Sequence, residues 1–361
     1  MPDVLLFGAT GYTGRLVASA LFRRGVDFAI AGRDPDELAR ISSSIGGVET
    51  RRADASDVRS LVAALEGCRV LATTVGPFAA RGEAAVEAAL RSSVHYIDSC
   101  GEGAFIQALI DRYSERARRA GLVIAPAMGF DEVVAEVGAT LAAEGLERPD
   151  LVLTYAAFVA PSPGTIRSGL GILGSPGPWL EDGEVVEINF GERKRWAPMP
   201  PPLGPKPSLS APLAELQLAP RHLELRSLQT YLAVERPLAS TAPLVAPALR
   251  RLNSIPSLRR LLEETAVRIV ARGGRSTSAR PWSLLAEARS GARWRNVALR
   301  GSDIYGVTAE LLASGAAALA SEPLDVSGLL TPVEAFGTDF LHKQLINLDV
   351  SVEIYQEAGR L

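Results

Sequence analysis

Three glycines near the start of the chain have the spacing and surroundings of a phosphate-binding turn. Gly8, Gly11 and Gly14 form a G-x-x-G-x-x-G pattern with Thr10 inside it, directly after the apolar run Val4–Phe7 and before a helical pattern. Their expected tasks are a tight turn, close approach of a pyrophosphate and close helix–strand packing, respectively. The helix N-terminus adds N–H groups and a positive dipole end. The pattern predicts a dinucleotide site made of Gly8, Thr10, Gly11, Tyr12, Thr13 and Gly14.

Two charged residues follow the second predicted strand, residues 27–31, where the ribose of a dinucleotide would lie. An acid at this place suits the 2′-hydroxyl of NAD, whereas an arginine suits the 2′-phosphate of NADP. Asp34 has a competing task as the N-cap of a helix that opens with Pro35, and Glu37 would close a capping box. We therefore expect Arg33 to be the ligand and NADP to be the preferred cofactor, with NAD as the alternative.

More polar residues stand where later strands of the alternating pattern end. The carboxyl ends of parallel strands share one edge of the sheet, and ligands bind beyond that edge. Cofactor contacts are expected there from Asp54, Gly76, Pro77 and Phe78.

Five further residues are candidates for chemistry on a substrate. The carboxylates of Asp98, Glu102 and Asp131 could bind substrate or move a proton. Structural alternatives stay open, because Asp131 could cap its helix and Asp98 could hydrogen-bond neighbouring loops. Thr165 and Ser168 stand at a predicted helix start in the second half of the chain and could place hydroxyls over the nicotinamide.

Strand and helix patterns alternate through the first 145 or so residues, which predicts a doubly wound parallel sheet with helices on both faces. The predicted strands are residues 4–7, 27–31, 48–53, 70–75, 95–98 and 122–125, and the helices after the third to the sixth strand are residues 56–65, 83–91, 105–119 and 131–144.

After residue 149 the pattern becomes less regular. The predicted elements are strands at 151–159, 185–190, 228–234 and 298–301, a short helix at 166–173, a proline-rich loop or strap at 198–220, an apolar-basic helix at 257–271 and an alanine-rich helix at 305–320. The helix at 257–271 is interpreted as packing on its own domain, with weak membrane-surface association as the alternative.

Composition excludes several classes of function. The net charge of −3 over 361 residues gives no electrostatic case for a nucleic-acid partner. The two cysteines, Cys68 and Cys100, are too few for a disulfide framework or a zinc site, so no metal is expected and a reducing cytoplasm suits the chain. A signal peptide is not expected before a core strand at residue 4, and no apolar run approaches the ~18 residues of a membrane span.

Two other classes of nucleotide-dependent enzyme can be compared residue by residue. Short-chain dehydrogenases need a Tyr-x-x-x-Lys pair, and no tyrosine here has a lysine four residues later. Semialdehyde-type reductases share the opening glycine pattern but need a nucleophilic cysteine. Cys100 has no cationic neighbour in the sequence, so we interpret it as a small buried residue.

Several motifs together resemble the saccharopine dehydrogenase-like superfamily, and within it the trans-acting enoyl reductases and related NADP-binding-domain proteins. The motifs that carry the resemblance are residues 8–14, 31–33, 74–78, 96–98, 101–102, 129–131, 164–168, 305–309 and 330–332. Residues 197–280 do not follow the family pattern.

The resemblance implies a Rossmann domain at residues 1–148, completed by residues 303–345, and a second α/β domain with a mixed sheet at residues 149–302 for substrate binding and dimerisation. It implies hydride transfer between NADPH and a small-molecule or lipid-like substrate by enoyl, imine or carbonyl reduction, in a homodimer. Two alternatives stay open: a non-catalytic NADP-binding sensor or structural protein, and a membrane-associated lipid reductase.

Overall fold

A computed structural model describes residues 1–157, 176–253, 281–321 and 325–356, with isolated positions between the second and third ranges and at 166, 169 and 170. The described chain forms two compact units. The first contains Met1–Val133 and Ile304–Gln344, and the second contains Val134–Asp303 and Leu345–Leu361. The helix expected at 166–173 and most of the helix expected at 257–271 lie outside the described residues.

The first unit is built on a parallel sheet of seven strands in the order β15-β6-β5-β4-β1-β2-β3. Their bounds are β1 Val4–Phe7, β2 Phe28–Gly32, β3 Glu49–Arg52, β4 Val70–Thr73, β5 His95–Asp98, β6 Val123–Ala125 and β15 Gly328–Leu329. The central strands β1, β2 and β4 are buried at every residue, which explains their unbroken apolar sequences. The doubly wound parallel sheet predicted from the sequence is therefore confirmed.

The strand order reverses at β1, which pairs with β2 on one side and β4 on the other. Such a reversal opens a crevice at the carboxyl ends of the strands, where the glycine turn follows β1. The helices of this unit are α1 Tyr12–Arg23, α2 Pro35–Ser44, α3 Val58–Ala64, α4 Phe78–Arg91, α5 Gly103–Ala120, α6 Phe130–Ala143, which continues into the second unit, α9 Ile304–Ser321, α10 Pro332–Phe336 and the first residues of α11 Thr338–Asn347.

The last part of the chain supplies α9 and the edge strand β15 to the first unit. Helix α9 packs on α1 and on the central strands, and β15 pairs in parallel with β6. By length and composition α9 could cross a membrane, a property that the sequence analysis did not assign to any segment. More than half of α9 is buried within the protein, as in the core helix of a globular domain.

The second unit is built on a mixed sheet of nine strands. The main path is β10-β11-β12-β7-β13-β14-β16, and the β8–β9 hairpin joins it through β12. Strands β7 and β12 are parallel, and the other pairs are antiparallel. The bounds are β7 Asp150–Ala157, β8 Gly177–Glu181, β9 Glu184–Ile188, β10 Lys194–Ala197, β11 Lys206–Ser210, β12 Ser227–Ala233, β13 Trp282–Ser290, β14 Arg293–Gly301 and β16 Ser351–Gln356.

Two further helices follow strands of this sheet, the short α7 Glu215–Leu218 and the long α8 Arg236–Asn253. The interpretation of residues 198–220 as a plain loop or strap was wrong. This stretch contains β11 and α7. Strand β11 forms there because its backbone pairs with β10 on one side and with β12 on the other. Pro207 has no N–H to donate to a neighbouring strand, but its carbonyl can still accept a hydrogen bond, so this proline does not prevent β11 from forming.

Candidate functional site

The glycine turn after β1 is packed so tightly that side chains are excluded at two of its positions. A Cβ on Gly14 would lie 2.1 Å from the carbonyl oxygen of Gly8, so α1 sits directly on the turn. Gly8 has φ +97°, and a Cβ there would lie 2.7 Å from Val75 Cγ2. A Cβ on Gly11 would make only an ordinary 3.4 Å contact with the Gly8 carbonyl. Packing therefore requires Gly8 and Gly14, whereas Gly11 leaves open space in front of the turn.

The N-terminus of α1 begins in this turn. Gly11 is its N-cap in an extended conformation, and because glycine has no side chain, the N-cap residue offers no acceptor to the first-turn N–H groups. Tyr12 is 42% exposed beside the turn and meets Tyr305 of α9 edge to face, with ring centroids 5.1 Å apart. Thr10 and Thr13 are half-buried in the same turn. The arrangement suits a bound diphosphate.

Arg33 is exposed at the carboxyl end of β2 and makes no hydrogen bond or ion pair to any residue of the described chain. Asp34, its neighbour, is occupied as the N-cap of α2 and accepts from the backbone N–H groups of Asp36 and Glu37. The capping box expected at Glu37 is not formed, because its carboxylate accepts from Arg15 at 2.9 Å instead. The guanidinium of Arg33 is the group at this strand end that can bind a phosphate.

Asp54 lies at the neighbouring strand end, after β3. Its carboxylate accepts from both the backbone and the hydroxyl of Ser56, and these bonds lower the pKa of Asp54. The positive charges of Arg33 and Arg81 lower it further. Asp54 therefore stays ionised and adds its negative charge to the edge where the ribose is expected.

Asp98 is fully buried at the end of β5. Its Oδ1 accepts from the backbone N–H groups of Cys100 at 2.8 Å and Ala127 at 3.0 Å, and its Oδ2 accepts from the Tyr96 hydroxyl. Burial raises the pKa of the Asp98 carboxyl to about 6, while the hydrogen bonds from Tyr96, Ala127 and Cys100 oppose that rise. In this geometry Asp98 holds the loops after β5 and β6 together, and its catalytic role stays a prediction.

Glu102 reaches from the loop after β5 to the start of α4. Its two carboxylate oxygens accept from the backbone N–H groups of Phe78 and Ala79, both at 2.9 Å. A remote side chain thus satisfies two of the N–H groups that an uncapped helix would leave without an acceptor. The loop Gly76–Pro77–Phe78, predicted to contact cofactor, is held in place by this cap.

Glu132 is a buried carboxylate of this region that sequence reasoning missed. Its side chain is 4% exposed and fills the space above two glycines, since a Cβ on Gly101 would lie 2.5 Å from its Oε1 and one on Gly129 would lie 3.0 Å from its Oε2. A glutamate in the first turn of a helix usually faces solvent, so the position of Glu132 in the sequence did not indicate that it is buried. The feature that could have indicated its burial is the pair of glycines, Gly101 and Gly129, in two loops of the predicted ligand edge.

Asp131 differs from these carboxylates because its side chain is exposed, in the first turn of α6. Phe130, the residue before it, donates its N–H to the Thr308 hydroxyl of α9 at 3.1 Å and so fixes the start of α6. Thr165 and Ser168 lie outside the described residues.

Cys100 is fully buried, as expected of a small core residue, and burial raises the pKa of its thiol well above the ordinary value. It therefore lacks the lowered pKa of a nucleophilic cysteine. His95 accepts at Nδ1 from the Val123 N–H, and burial lowers its pKa, in keeping with a structural role. Within the described part of the chain, no group of three or more His, Cys, Asp or Glu residues could hold a metal ion.

The second unit has a buried polar group of its own that the sequence did not indicate. His222 lies with Nδ1 3.5 Å from Glu136 Oε1 and Nε2 3.3 Å from the Thr140 hydroxyl. Glu136 is fully buried on α6. These residues are far apart in sequence and belong to no motif, which is why the sequence analysis gave His222 no role.

Comparison with known proteins supports the assignment of the N-terminal part. Residues 4–124 match the family model of the saccharopine dehydrogenase NADP-binding domain. The match covers about a third of the chain, all of it within the first unit. It indicates NADP as the cofactor, and the glycine turn and Arg33 described above offer the groups that its phosphates require.

Relatives of the NADP-binding domain are similar to part of this chain. A lipid droplet localized protein of Caenorhabditis elegans is 32% identical over 148 residues, which are 38% of this chain and 35% of the relative. A putative trans-acting enoyl reductase of Mycobacterium tuberculosis is 36% identical over 141 residues, which are 37% of this chain and 34% of the relative. The chain thus matches only about a third of the length of these curated relatives.

A solved structure extends the likeness of fold to the whole chain. The apo saccharopine dehydrogenase (L-Glu forming) of Saccharomyces cerevisiae has a TM-score of 0.71, covering 99% of this chain and 100% of that one. Sequence identity is 12%, so this match concerns the fold alone. The saccharopine dehydrogenase-like resemblance and the fold class inferred from the sequence are both confirmed.

Proposed function

We propose that the protein is an NADP-dependent oxidoreductase that transfers hydride between NADPH and a small-molecule or lipid-like substrate, by reduction of an enoyl, imine or carbonyl group. The observation that carries the proposal is the glycine turn at the uncapped start of α1, with the unpaired Arg33 at the next strand end. The name of the enoyl reductase relative supports the reaction class. The lipid droplet relative favours a lipid-like substrate.

Different residues of this chain would bind and orient different parts of NADPH. Bound NADPH supplies the hydride. The first-turn N–H groups of α1 would bind the pyrophosphate, and Arg33 would bind the 2′-phosphate. The loop Gly76–Pro77–Phe78, fixed by Glu102, would line the cofactor site. We further propose that the protein works in the cytoplasm, which its low cysteine content suits, and that it forms a homodimer.

Reduction of a carbonyl, imine or polarised alkene also needs a proton donor. Asp98 is fully buried, and Glu102 caps the start of α4. Asp131 is accessible to solvent in the first turn of α6, beyond the carboxyl end of β6, where a carboxyl can move a proton to a bound substrate. We therefore assign the proton-donor role to Asp131. Asp131→Asn should retain NADPH affinity and lose at least about tenfold in turnover.

The test begins with cofactor binding, measured by calorimetry with NADPH and NADH. Gly11→Val should fold normally, because Gly11 is extended and has open space around it, yet abolish NADPH binding by crowding the pyrophosphate. Gly14→Ala is the matched comparison: its Cβ clashes with the Gly8 carbonyl, so it should lower the unfolding free energy by about 1–3 kcal/mol. A wild-type protein that binds neither cofactor would overturn the proposal.

Turnover is then followed by NADPH absorbance with enoyl thioesters of short and long chain, preformed imines and aldehydes. Oxidation of NADPH with one of these classes, lost in Gly11→Val, is the expected result. Tight NADPH binding without turnover of any class would contradict the catalytic part and identify a non-catalytic NADP-binding protein.

A further inference from the structure

Among the side chains of helix α8 that the structure describes, three large apolar ones are exposed to solvent. Leu238, Val245 and Leu252 are 51%, 47% and 42% exposed. Ala246 is buried instead, and Ala239 packs against a buried cluster of the second sheet. A helix that packs on its own domain normally buries its large apolar residues. The arrangement on α8 is the reverse of that.

The three exposed residues form one continuous stripe. They are seven residues apart, and at about 100° per residue a seven-residue step returns to within roughly 20° of the same direction. Ala239 and Ala246 lie about a quarter turn away, so α8 can rest on the sheet through its alanines while the stripe stays accessible. The chain beyond α8 adds Ile255 and Leu261, which are 46% and 58% exposed.

An exposed tryptophan lies beside the start of this helix. Trp196 of β10 is 57% exposed, and the guanidinium of Arg236 lies 5.6 Å from the centre of its ring. Tryptophan and arginine both combine an apolar body with a polar end, which favours the boundary between water and lipid. The pair extends the apolar stripe with the side-chain types that anchor proteins at membrane interfaces.

The charge of this part of the chain is opposite to that of the rest. Residues 236–280 contain nine arginines, no lysine, two glutamates and no aspartate, a net charge of +7. The remaining residues contain 29 basic and 39 acidic side chains, a net charge of −10. A basic segment with an exposed apolar stripe is attracted to an anionic surface and can then bury its apolar side chains in it.

We propose that α8, with Trp196 and Arg236, is a docking surface for an anionic lipid surface. A second copy of this chain is a poorer occupant, because two-fold pairing would bring two segments of charge +7 together. The stripe penetrates the headgroup region, and Arg236 and Arg251 of α8 bind lipid phosphates. This surface is distinct from the cofactor-binding turn and does not depend on the proposed reaction.

The test is co-sedimentation of the full-length protein with vesicles. Phosphatidylcholine vesicles containing about one third phosphatidylglycerol should bind the protein, and pure phosphatidylcholine vesicles should bind it at least about tenfold more weakly. Raising the salt concentration should weaken binding to the anionic vesicles. Trp196 emission should shift to the blue on docking, and Trp196→Phe should remove that shift.

Variants separate the apolar and the charged contributions. Leu238→Gln/Val245→Gln/Leu252→Gln keeps good helix formers and should lower vesicle affinity at least about tenfold. Arg236→Gln/Arg251→Gln should lower affinity for anionic vesicles alone. The matched control Val185→Gln/Ile346→Gln changes residues that are 73% and 50% exposed elsewhere, and it should bind like wild type.

Three results would overturn the proposal. One is absence of wild-type binding to the anionic vesicles. Another is an equal loss in the control variant. The third is a triple variant that binds vesicles normally but changes from dimer to monomer in light scattering, which would make the stripe an interface between copies of the chain. In every case NADPH affinity is measured in parallel to show that the variants are folded.

Discussion

At the scale of single residues, neighbouring positions of one motif have different physical tasks. Arg33 and Asp34 follow the same strand, yet Asp34 accepts from two N–H groups of α2 while Arg33 has no partner in the described chain. The side chain that the local fold leaves unused is the one suited to a ligand. Cofactor choice should therefore depend on Arg33.

Arg33→Ala should weaken NADPH binding by roughly ten- to a hundredfold, because a charge-assisted hydrogen bond contributes about 1.5–3 kcal/mol. NADH lacks the 2′-phosphate, so its affinity should change little. Paired titrations of both cofactors measure the effect, with Arg40→Ala, an exposed arginine within α2, as the control. Equal losses for the two cofactors would show that Arg33 does not contact the 2′-phosphate.

The ionisation of the Asp98 carboxyl should change the unfolding free energy of the protein. Its folded pKa of about 6 lies above the ordinary value, so the native state holds this proton more tightly than the unfolded chain does. The stabilising contribution is complete below about pH 4 and is lost as the pH rises through about 6, a change on the order of 3 kcal/mol.

Asp98→Asn should remove this pH dependence. The amide oxygen can still accept from Cys100 and Ala127, and the amide N–H can donate to the Tyr96 hydroxyl. Between pH ~4 and ~6.5 the unfolding free energy of wild type, relative to this variant, should fall as the pH rises, and the difference should stay constant above that range. A difference that stays constant over that range in urea titrations would contradict the raised pKa.

At the scale of elements, the ends of helices depend on residues that are distant in sequence. The sequence predicted α4 from residue 83, whereas the helix begins at Phe78. Glu102 explains the difference, because its carboxylate caps the earlier turn from another loop.

Removing that cap tests its contribution. Glu102→Ala should lower the unfolding free energy by about 1–2 kcal/mol, since two N–H groups of α4 lose their acceptor. Glu83→Ala is the control on the same helix, because its pairing with Arg112 is exposed and should contribute less than about 1 kcal/mol. Chemical denaturation measures both variants, and equal losses would contradict the capping role.

Features that depend on neighbouring residues could be predicted from the sequence, whereas features that depend on contacts between distant segments could not. Local patterns identified β1, the glycine turn and the Asp34 cap, because strand burial and capping are visible within a few residues. The burial of Glu132 over Gly101 and the approach of His222 to Glu136 depend on tertiary contacts between distant segments. Residues 198–220 were misread because their prolines concealed a strand whose partners lie in other parts of the sheet.

At the scale of the whole molecule, the first unit is assembled from both ends of the chain. Helix α9 is joined to α1 through Glu310, which pairs with Arg23 at 2.5 Å and with Arg24 at 2.9 Å. Its apolar face covers the central strands of the parallel sheet. Residues 1–148 alone would leave that surface exposed.

A fragment of residues 1–148 should therefore bind an apolar dye such as ANS and self-associate. The full-length chain should bind much less dye and form nothing larger than a dimer under the same conditions, because α9 covers the sheet. Dye fluorescence and light scattering compare the two proteins. A fragment that is monomeric, does not bind the dye and is as stable as the full-length chain would show that α9 is dispensable for this unit.

The pairing of β15 with β6 has a consequence for biosynthesis. About two hundred residues separate these neighbouring strands, and the ribosome delivers the chain from its N-terminus. The nucleotide-binding sheet therefore keeps an open edge and an uncovered face until the chain has emerged as far as β15. The inserted segment, from α6 to β14, can already pair most of its strands during that interval. Ribosome-bound nascent chains that end before residue 304 should remain sensitive to protease within residues 1–133 and become resistant only once α9 and β15 have left the exit tunnel.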